Sequence, residues 1–213
     1  MRHLAGEHRV PPAFGVLALS FLAGAVPFSY VSARLLRDVD LRAHGTGTVS
    51  ATGVWQVAGA GPLVVTGLLD AAKGAIGPML AGRSRPALAA FASGAAVAGH
   101  NWSPFLRGAG GRGLSVAIGS LAATEPAGAV LLIAGLGLGK LAGQTAFGCL
   151  VAELALIPVL HRTGGTRGRE VAWAVLVPML AKRLAGNQPA RSPRVYLSRL
   201  LFDRDEPPRR ARP

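Results

Sequence analysis

Apolar residues in this chain come in long runs rather than in alternation, which is the pattern of helices buried on most sides. Residues 13 to 33 (AFGVLALSFLAGAVPFSYVSA) carry no charge over 21 positions, about the ~20 that a helix needs to cross the hydrocarbon layer. Further apolar stretches occupy 54 to 82, 86 to 99, 113 to 124, 126 to 139, 141 to 160 and 170 to 181. Several are too short for a full crossing. Rich in glycine and alanine, they predict tightly packed helices whose backbones approach closely and whose shorter members are sheltered by neighbours. The pattern therefore predicts an all-α polytopic membrane protein of about seven transmembrane or half-membrane helices in one compact bundle. A single domain spans 1 to 213, with a basic tail over 186 to 213.

The polar interruptions set an expected topology. If the loop 34 to 53 is cytoplasmic, then alternation places 83 to 85, Glu125-Pro126 and 161 to 169 outside. The segment 100 to 113, the turn at Lys140 and the tail then lie inside. Two charges interrupt the second run: Asp70 and Lys73, three residues apart on neighbouring faces of one turn, placed near the outer end of their helix. Charge at depth is costly unless paired or facing a polar cavity, so a structural ion pair and a direct functional role both stay open. Glu153 raises the same question with no obvious partner in sequence.

Composition agrees with a membrane class and excludes an ordinary soluble domain. The chain is 50% hydrophobic and 15% charged, with a mean hydropathy of +0.39. Arg2, His3 and Arg9 ahead of an apolar run ending in Ala23-Gly24-Ala25 also resemble a secretory leader, but the apolar character continues to Leu36, which a cleaved leader does not require. The net charge of +13 raises nucleic acid as a partner. Its distribution argues against one. From Lys182 onward stand Lys182, Arg183, Arg191, Arg194, Arg199, Arg204, Arg209, Arg210 and Arg212 against three acids, directly after an apolar segment. Such a stretch is expected of a cytoplasmic tail held by the positive-inside rule and by anionic lipid. Positive charge on the outer loops, at Arg83, Arg85, Arg162, Arg167 and Arg169, weakens the asymmetry. The single cysteine, Cys149, excludes an internal disulfide framework and any CxxC metal site, and no metal is expected.

Two loops carry candidate chemistry. In DLRAHGTGTVSATG, residues 40 to 53, Gly45-Thr46-Gly47-Thr48 is followed by Ser50, Thr52 and an apolar helix from Val54. Glycine lets successive N–H groups point into one concavity, and such a nest ahead of a helix binds anions, although the same composition also makes plain turns. In GHNWSPFLRGAGGRGLS, residues 99 to 115, Gly108, Gly110, Gly111 and Gly113 surround Arg112 and again precede a helix. Both loops fall on one expected face, which favours an anion pocket over two separate turns. Trp102 and Phe105 suit the membrane interface as anchors. His100 is a candidate general base or a hydrogen-bonded structural residue, and His44 is equally ambiguous.

These residues resemble the bacterial acyl-phosphate:glycerol-3-phosphate acyltransferases of PlsY type. The resemblance runs through Gly24-Ala25-Val26-Pro27-Phe28, Asp40-Leu41-Arg42, the GTG loop, Ala51-Thr52, Asp70-Ala71-Ala72-Lys73-Gly74, Gly99-His100, Phe105, Gly110-Gly111-Arg112-Gly113 and Arg199-Leu200-Leu201, in one consistent order. It implies a seven-helix integral membrane acyltransferase at the bacterial cell membrane, with a cytoplasmic C-terminal tail. The implied reaction moves a fatty acyl group from acyl phosphate to the 1-hydroxyl of sn-glycerol 3-phosphate, giving lysophosphatidic acid and phosphate, with no cofactor, metal or acyl-CoA. By the same resemblance Arg112 and His100 are catalytic candidates. Arg42, Gly45, Thr46, Gly47, Thr48, Ser50, Thr52, Gly110 and Gly111 are candidates for substrate binding.

Several family positions carry other residues. Against the family's G-S-G-N-x-G-A-T-N, Thr46 stands for serine, Thr48 for the first asparagine, Ser50 for glycine and Gly53 for the last asparagine. Against F-K-G-G-K-G, Ala109 and Arg112 stand for the two lysines. In R-H-x-x-N-I-x-R-L, Pro193 stands for histidine and Tyr196 for asparagine. Two other function classes follow from the residues themselves: a noncatalytic membrane protein that binds phosphate or lipid on the same scaffold, and a small transporter with Asp70 and Lys73 lining a path.

Overall fold

The computed structural model describes residues 11–190 and 192–204. Arg2, His3 and Arg9, on which the leader reading rests, lie outside the described residues, as do Arg191, Arg209, Arg210 and Arg212 of the tail. The described secondary structure is helical throughout: α1 Ala13–Ala25, α2 Phe28–Arg37, α3 Ala51–Ala58, α4 Ala60–Ala81, α5 Pro86–Asn101, α6 Leu114–Thr124, α7 Pro126–Leu141, α8 Thr145–Ala185 and α9 Pro193–Phe202, with two short 3-10 turns at Leu41–Ala43 and Pro104–Leu106. These helices do not map one to one onto the apolar stretches. Three segments, Ala13–Arg37, Ala60–Ala81 and Thr145–Ala185, are long and apolar enough to cross a membrane.

The first apolar run is broken in two at Pro27. Proline has no N–H to continue the ladder and pushes the preceding residue out of the helical region; Val26 accordingly takes φ −58 and ψ 120. The consequence is an apolar α1 followed by an α2 that turns toward the first loop.

α8 is a helical hairpin in spite of its continuous span. Gly165 takes φ 60 and ψ −139, and the Arg183 guanidinium donates to the Ala146 carbonyl at 3.1 Å. In a straight helix those residues would stand about 55 Å apart. Two antiparallel arms therefore meet at Gly164 and Gly165, so the turn expected over 161 to 169 is present but far tighter. A Cβ on Gly168 would strike the Leu160 carbonyl, which shows how closely the arms approach.

Packing reverses the soluble pattern. Phe14, Leu68, Met79, Phe91, Val130, Leu138 and Leu141 are exposed, whereas Ser20, Thr66, Asp70, Lys73, Ser93, Ser120 and Glu153 are buried. With lipid outside, apolar side chains gain nothing by turning inward, and polar groups must find partners within the bundle. They do: Ser20 Oγ donates to the Val16 carbonyl at 2.6 Å, and Ser120 Oγ to the Gly74 carbonyl at 2.7 Å. Glycines set the helix spacing. A Cβ on Gly24 or Gly99 would run into the backbone of the α1–α5 partner, at Ala96 or Phe21, and one on Gly74 or Gly119 into Val116 or Ala71 between α4 and α6.

The two ends of the bundle follow the expected alternation. At one end Arg85 donates to the Pro11 carbonyl at 2.8 Å, and Gly164 lies against the Glu125 carboxylate. At the other end gather the segments around Val49, Gly110, Ala146 and Asn187. The reading of the basic stretch from Lys182 as a lipid-held tail needs correction for three of its members, since Lys182, Arg183 and Arg199 are buried. Arg199 grips the end of α8, donating to the carbonyls of Leu184 at 3.1 Å, Ala185 at 2.6 Å and Gln188 at 2.6 Å. Those carbonyls lack intrahelical donors, so a guanidinium there acts as a C-terminal cap and docks α9 onto the bundle.

Candidate active site

The first loop is built on a carboxylate–guanidinium pair. Asp40 accepts from its neighbour's backbone, Arg42 N, at 2.9 Å, and from the Arg42 side chain, Nη2 to Oδ2, at 2.7 Å. The Arg42 hydrogen bond holds the Asp40 carboxyl down at about 2, so the pair stays ionised at any working pH. Arg42 also lies over the Tyr30 ring, 5.1 Å from its centre. Beyond it, Gly45 and Gly47 take φ +58 and +69, the left-handed backbone that a tight nest requires. Thr46 Oγ1 donates to Thr48 Oγ1 at 2.9 Å, Ser50 caps α3 by accepting from Gly53 N at 3.3 Å, and Thr52 is exposed on the first turn of that helix.

The second loop folds back on the end of α5. Gly111 N donates to the His100 carbonyl at 3.2 Å, and Cβ atoms on Gly110 or Gly111 would collide with His100. Ser103 Oγ ties the loop to the Ala25 carbonyl at 2.6 Å, at the α1 break, while Lys182 Nζ donates to the Gly108 carbonyl at 3.2 Å. Arg112 is nearly buried, with Nε 2.7 Å from Asp203 Oδ1 and Nη1 donating to the Lys182 carbonyl at 2.8 Å.

The loops touch. Val49 N donates to the Gly110 carbonyl at 3.1 Å. Asn187, in the link from α8 to α9, donates from Nδ2 to the carbonyls of Gly47 at 3.0 Å and Gly110 at 2.9 Å. Gly47, Thr46, Thr48, Gly110, Gly111, His100 and Arg112 thus belong to one end of the bundle, with Ser50 and Thr52 on the adjoining α3 and Arg42 at the edge beside Tyr30.

Below the loops lies a buried charge pair. Lys73 Nζ is 2.8 Å from Asp70 Oδ1 and donates to the Val26 carbonyl at 2.5 Å; Ser29 Oγ donates to Asp70 Oδ2 at 3.4 Å. His100 Nδ1 is 4.0 Å from Asp70 Oδ1. A cavity of about 10 Å³, room for roughly one water, is lined by Val26, Ser29, Val49, Asp70, His100, Ser103 and Gly110. The placement of Asp70 and Lys73 near the outer end is therefore overturned: the pair faces the loop end and underpins it. Truncating one partner leaves an uncompensated buried charge, a loss of about 3–5 kcal/mol. Lys73→Met is expected to show this as a lowered melting temperature in detergent, with Asp70→Asn/Lys73→Met recovering part of the loss.

Sequence reading missed Asn187 and Asp203. Asn after the helix-ending Gly186 reads as an ordinary turn, and Asp203 sits in a stretch dominated by arginine. Glu153 does have a partner, Arg183 Nη2 at 3.1 Å across the α8 hairpin. Among the described residues no three His, Cys, Asp or Glu side chains gather where they could hold a metal ion.

The architecture has known counterparts. A glycerol-3-phosphate acyltransferase of Desulforudis audaxviator is 34% identical over 170 residues, covering 78% of this chain and 84% of the relative. One from Synechococcus sp. is 32% identical over 186 residues, covering 82% and 92%. The crystal structure of PlsY (YgiH), an integral membrane glycerol 3-phosphate acyltransferase, in its glycerol 3-phosphate form superposes with a TM-score of 0.76 at 26% identity, covering 91% of this chain and 94% of that one. Its lysophosphatidic acid form gives 0.72 at 25% identity, covering 80% and 87%. The model of the glycerol-3-phosphate acyltransferase family matches residues 14–184, and with the glycine loops joined at one end of an apolar helical bundle, the chain belongs to that family of integral membrane proteins.

Proposed function

We propose that this chain transfers a fatty acyl group from acyl phosphate to the 1-hydroxyl of sn-glycerol 3-phosphate, forming lysophosphatidic acid and inorganic phosphate. It works at the inner face of the bacterial cell membrane, as a single domain with residues 186–213 on the cytoplasmic side. The observation that carries the reading is the direct hydrogen bond from Val49 N to the Gly110 carbonyl, which brings two glycine loops and the Arg112 cation together beside an apolar bundle.

The acceptor hydroxyl oxygen bonds to the acyl carbonyl carbon as the carbon–oxygen bond to phosphate breaks, and phosphate leaves with the electron pair. The hydroxyl proton passes to a phosphate oxygen of the substrates. An acyl phosphate is already activated, so the protein's contribution is positioning and charge stabilisation. Gly45, Thr46 and Thr48 present N–H and hydroxyl donors to one phosphate, with Gly47 supplying the left-handed turn between them and Ser50 and Thr52 at the start of α3. Gly110 and Gly111 let the second loop approach, and Arg42 and Arg112 balance phosphate charge. His100, enclosed between Asp70 and Gly111, braces the second loop and lines the small cavity beneath it.

The test mixes purified protein in detergent with acyl phosphate and measures phosphate release with and without glycerol 3-phosphate. Acceptor-dependent release with lysophosphatidic acid as product is expected. Phosphate-analogue binding with no turnover would replace this reading by a noncatalytic binder.

A further inference from the structure

We infer that Asn187 is a positioning residue for acyl transfer, holding the two glycine loops in register from the link between α8 and α9. The inference rests on the proposed reaction but is read from contacts that the reaction does not presuppose. A primary amide has two donor hydrogens and one acceptor oxygen. Asn187 commits both donors and its oxygen to the loops: Nδ2 donates to the Gly47 carbonyl at 3.0 Å and the Gly110 carbonyl at 2.9 Å, and Oδ1 accepts from Gly110 N at 3.2 Å. The bonded segments stand 140 and 77 residues away in sequence, so nothing local dictates this convergence.

The orientation bears on anion binding. A peptide unit is planar and trans. Fixing the Gly47 carbonyl toward Asn187 therefore aims the Thr48 N–H the opposite way, and the donor face of the loop is set from behind. Gly47 is held from its other side as well, since its N donates to the His44 carbonyl at 3.0 Å.

Asn187 is itself fixed. Gly186 ends α8 at φ +66, with its N on the Lys182 carbonyl at 2.9 Å, and its bare Cα lies against the Arg199 guanidinium, where a Cβ would come within 2.5 Å of Cζ. Arg199 holds the Gln188 carbonyl on the far side of Asn187 at 2.6 Å. The family's asparagine falls at Tyr196, which is 48% exposed. Here the amide that reaches the loops comes from nine residues earlier.

The test compares Asn187→Ala and Asn187→Asp with the wild type in acyl transfer, melting temperature and amide hydrogen exchange of residues 44–50 and 108–113. Aspartate is isosteric but turns an acceptor toward two carbonyl oxygens, so register is lost without loss of packing. Expected are kcat values falling from wild type through N187A to N187D, with N187D lower by about 100-fold, the scale of an ångström-level misplacement. Melting stays within a few degrees, and exchange accelerates in both loops. Near-wild-type kcat in N187D, or a kcat loss confined to N187A as a packing void gives, overturns the inference. Loss of folded protein in both variants also overturns it, by making Asn187 purely structural. An inactive wild type would instead sink the proposed reaction, and exchange in the two loops would still decide for or against Asn187.

Discussion

Gly47→Val is expected to reduce acyl transfer by at least about 100-fold while the protein still inserts and elutes as a folded species. Two independent obstacles meet at this position. Its φ of +69 lies in the left-handed region, where a β-branched residue is a strong outlier. A Cβ there would also stand 2.9 Å from the Arg42 carbonyl and 3.3 Å from Gln188 Nε2. The first neighbour is backbone held by the Asp40 cap, so it cannot step aside as a flexible side chain would. The loop must rotate its peptide instead, which removes the Gly47 carbonyl from Asn187. Gly45→Ala is the control. Gly45 has φ +58 but nothing within 4 Å of a built Cβ, leaving only backbone strain of about 1–2 kcal/mol. Acceptor-dependent phosphate release per mole of folded protein measures both. Equal losses in the two variants would mean that left-handed backbone, not the contact with Arg42 and Asn187, is what the site requires.

The uneven legibility of this molecule has a physical pattern. Lipid-compatible runs, the glycine loops and their common face could be read from sequence because each is written in neighbouring residues: Gly45, Gly47 and Gly113 stand where positive φ is used. The first run reads as one span, and the structure breaks it at Pro27. Contacts made between distant segments could not be read in this way. Nothing near Glu153 announces Arg183 thirty residues on, because the Gly165 kink that joins them is a single dihedral. Asp70 and Lys73 do form the ion pair that the sequence left open, but their depth depends on how α4 sits against α1 and α6, which is set by Gly77 against Ser20 and Gly74 against Val116. The basic stretch misled for a similar reason. Charge alone favours lipid headgroups, whereas the open carbonyls ending α8 offered Arg199 a nearer set of acceptors.

Arg112→Ala is expected to lower kcat/KM for acyl transfer by about 100- to 1000-fold, the scale found when a donor to developing negative charge is removed. The residue also makes structural contacts. Arg112 Nε lies 2.7 Å from Asp203 Oδ1 and Nη1 bonds the Lys182 carbonyl at 2.8 Å, so its deletion also loosens α9. If that tether were its whole contribution, Asp203→Ala would cost as much activity as Arg112→Ala, and the double variant no more than either. The expected cycle is different: Asp203→Ala lowers activity less than tenfold, because the guanidinium remains at the loop, and Arg112→Ala is severe with or without Asp203. Arg112→Lys provides the geometric test. An ammonium keeps the charge but cannot serve a carboxylate and a carbonyl from one planar fork, so an intermediate loss of about tenfold is expected, larger than that of Asp203→Ala if placement of the charge matters as well as its sign. Melting temperatures recorded beside each rate assign any shared loss to the tether, and the excess of Arg112→Ala over Asp203→Ala is the share that belongs to phosphate.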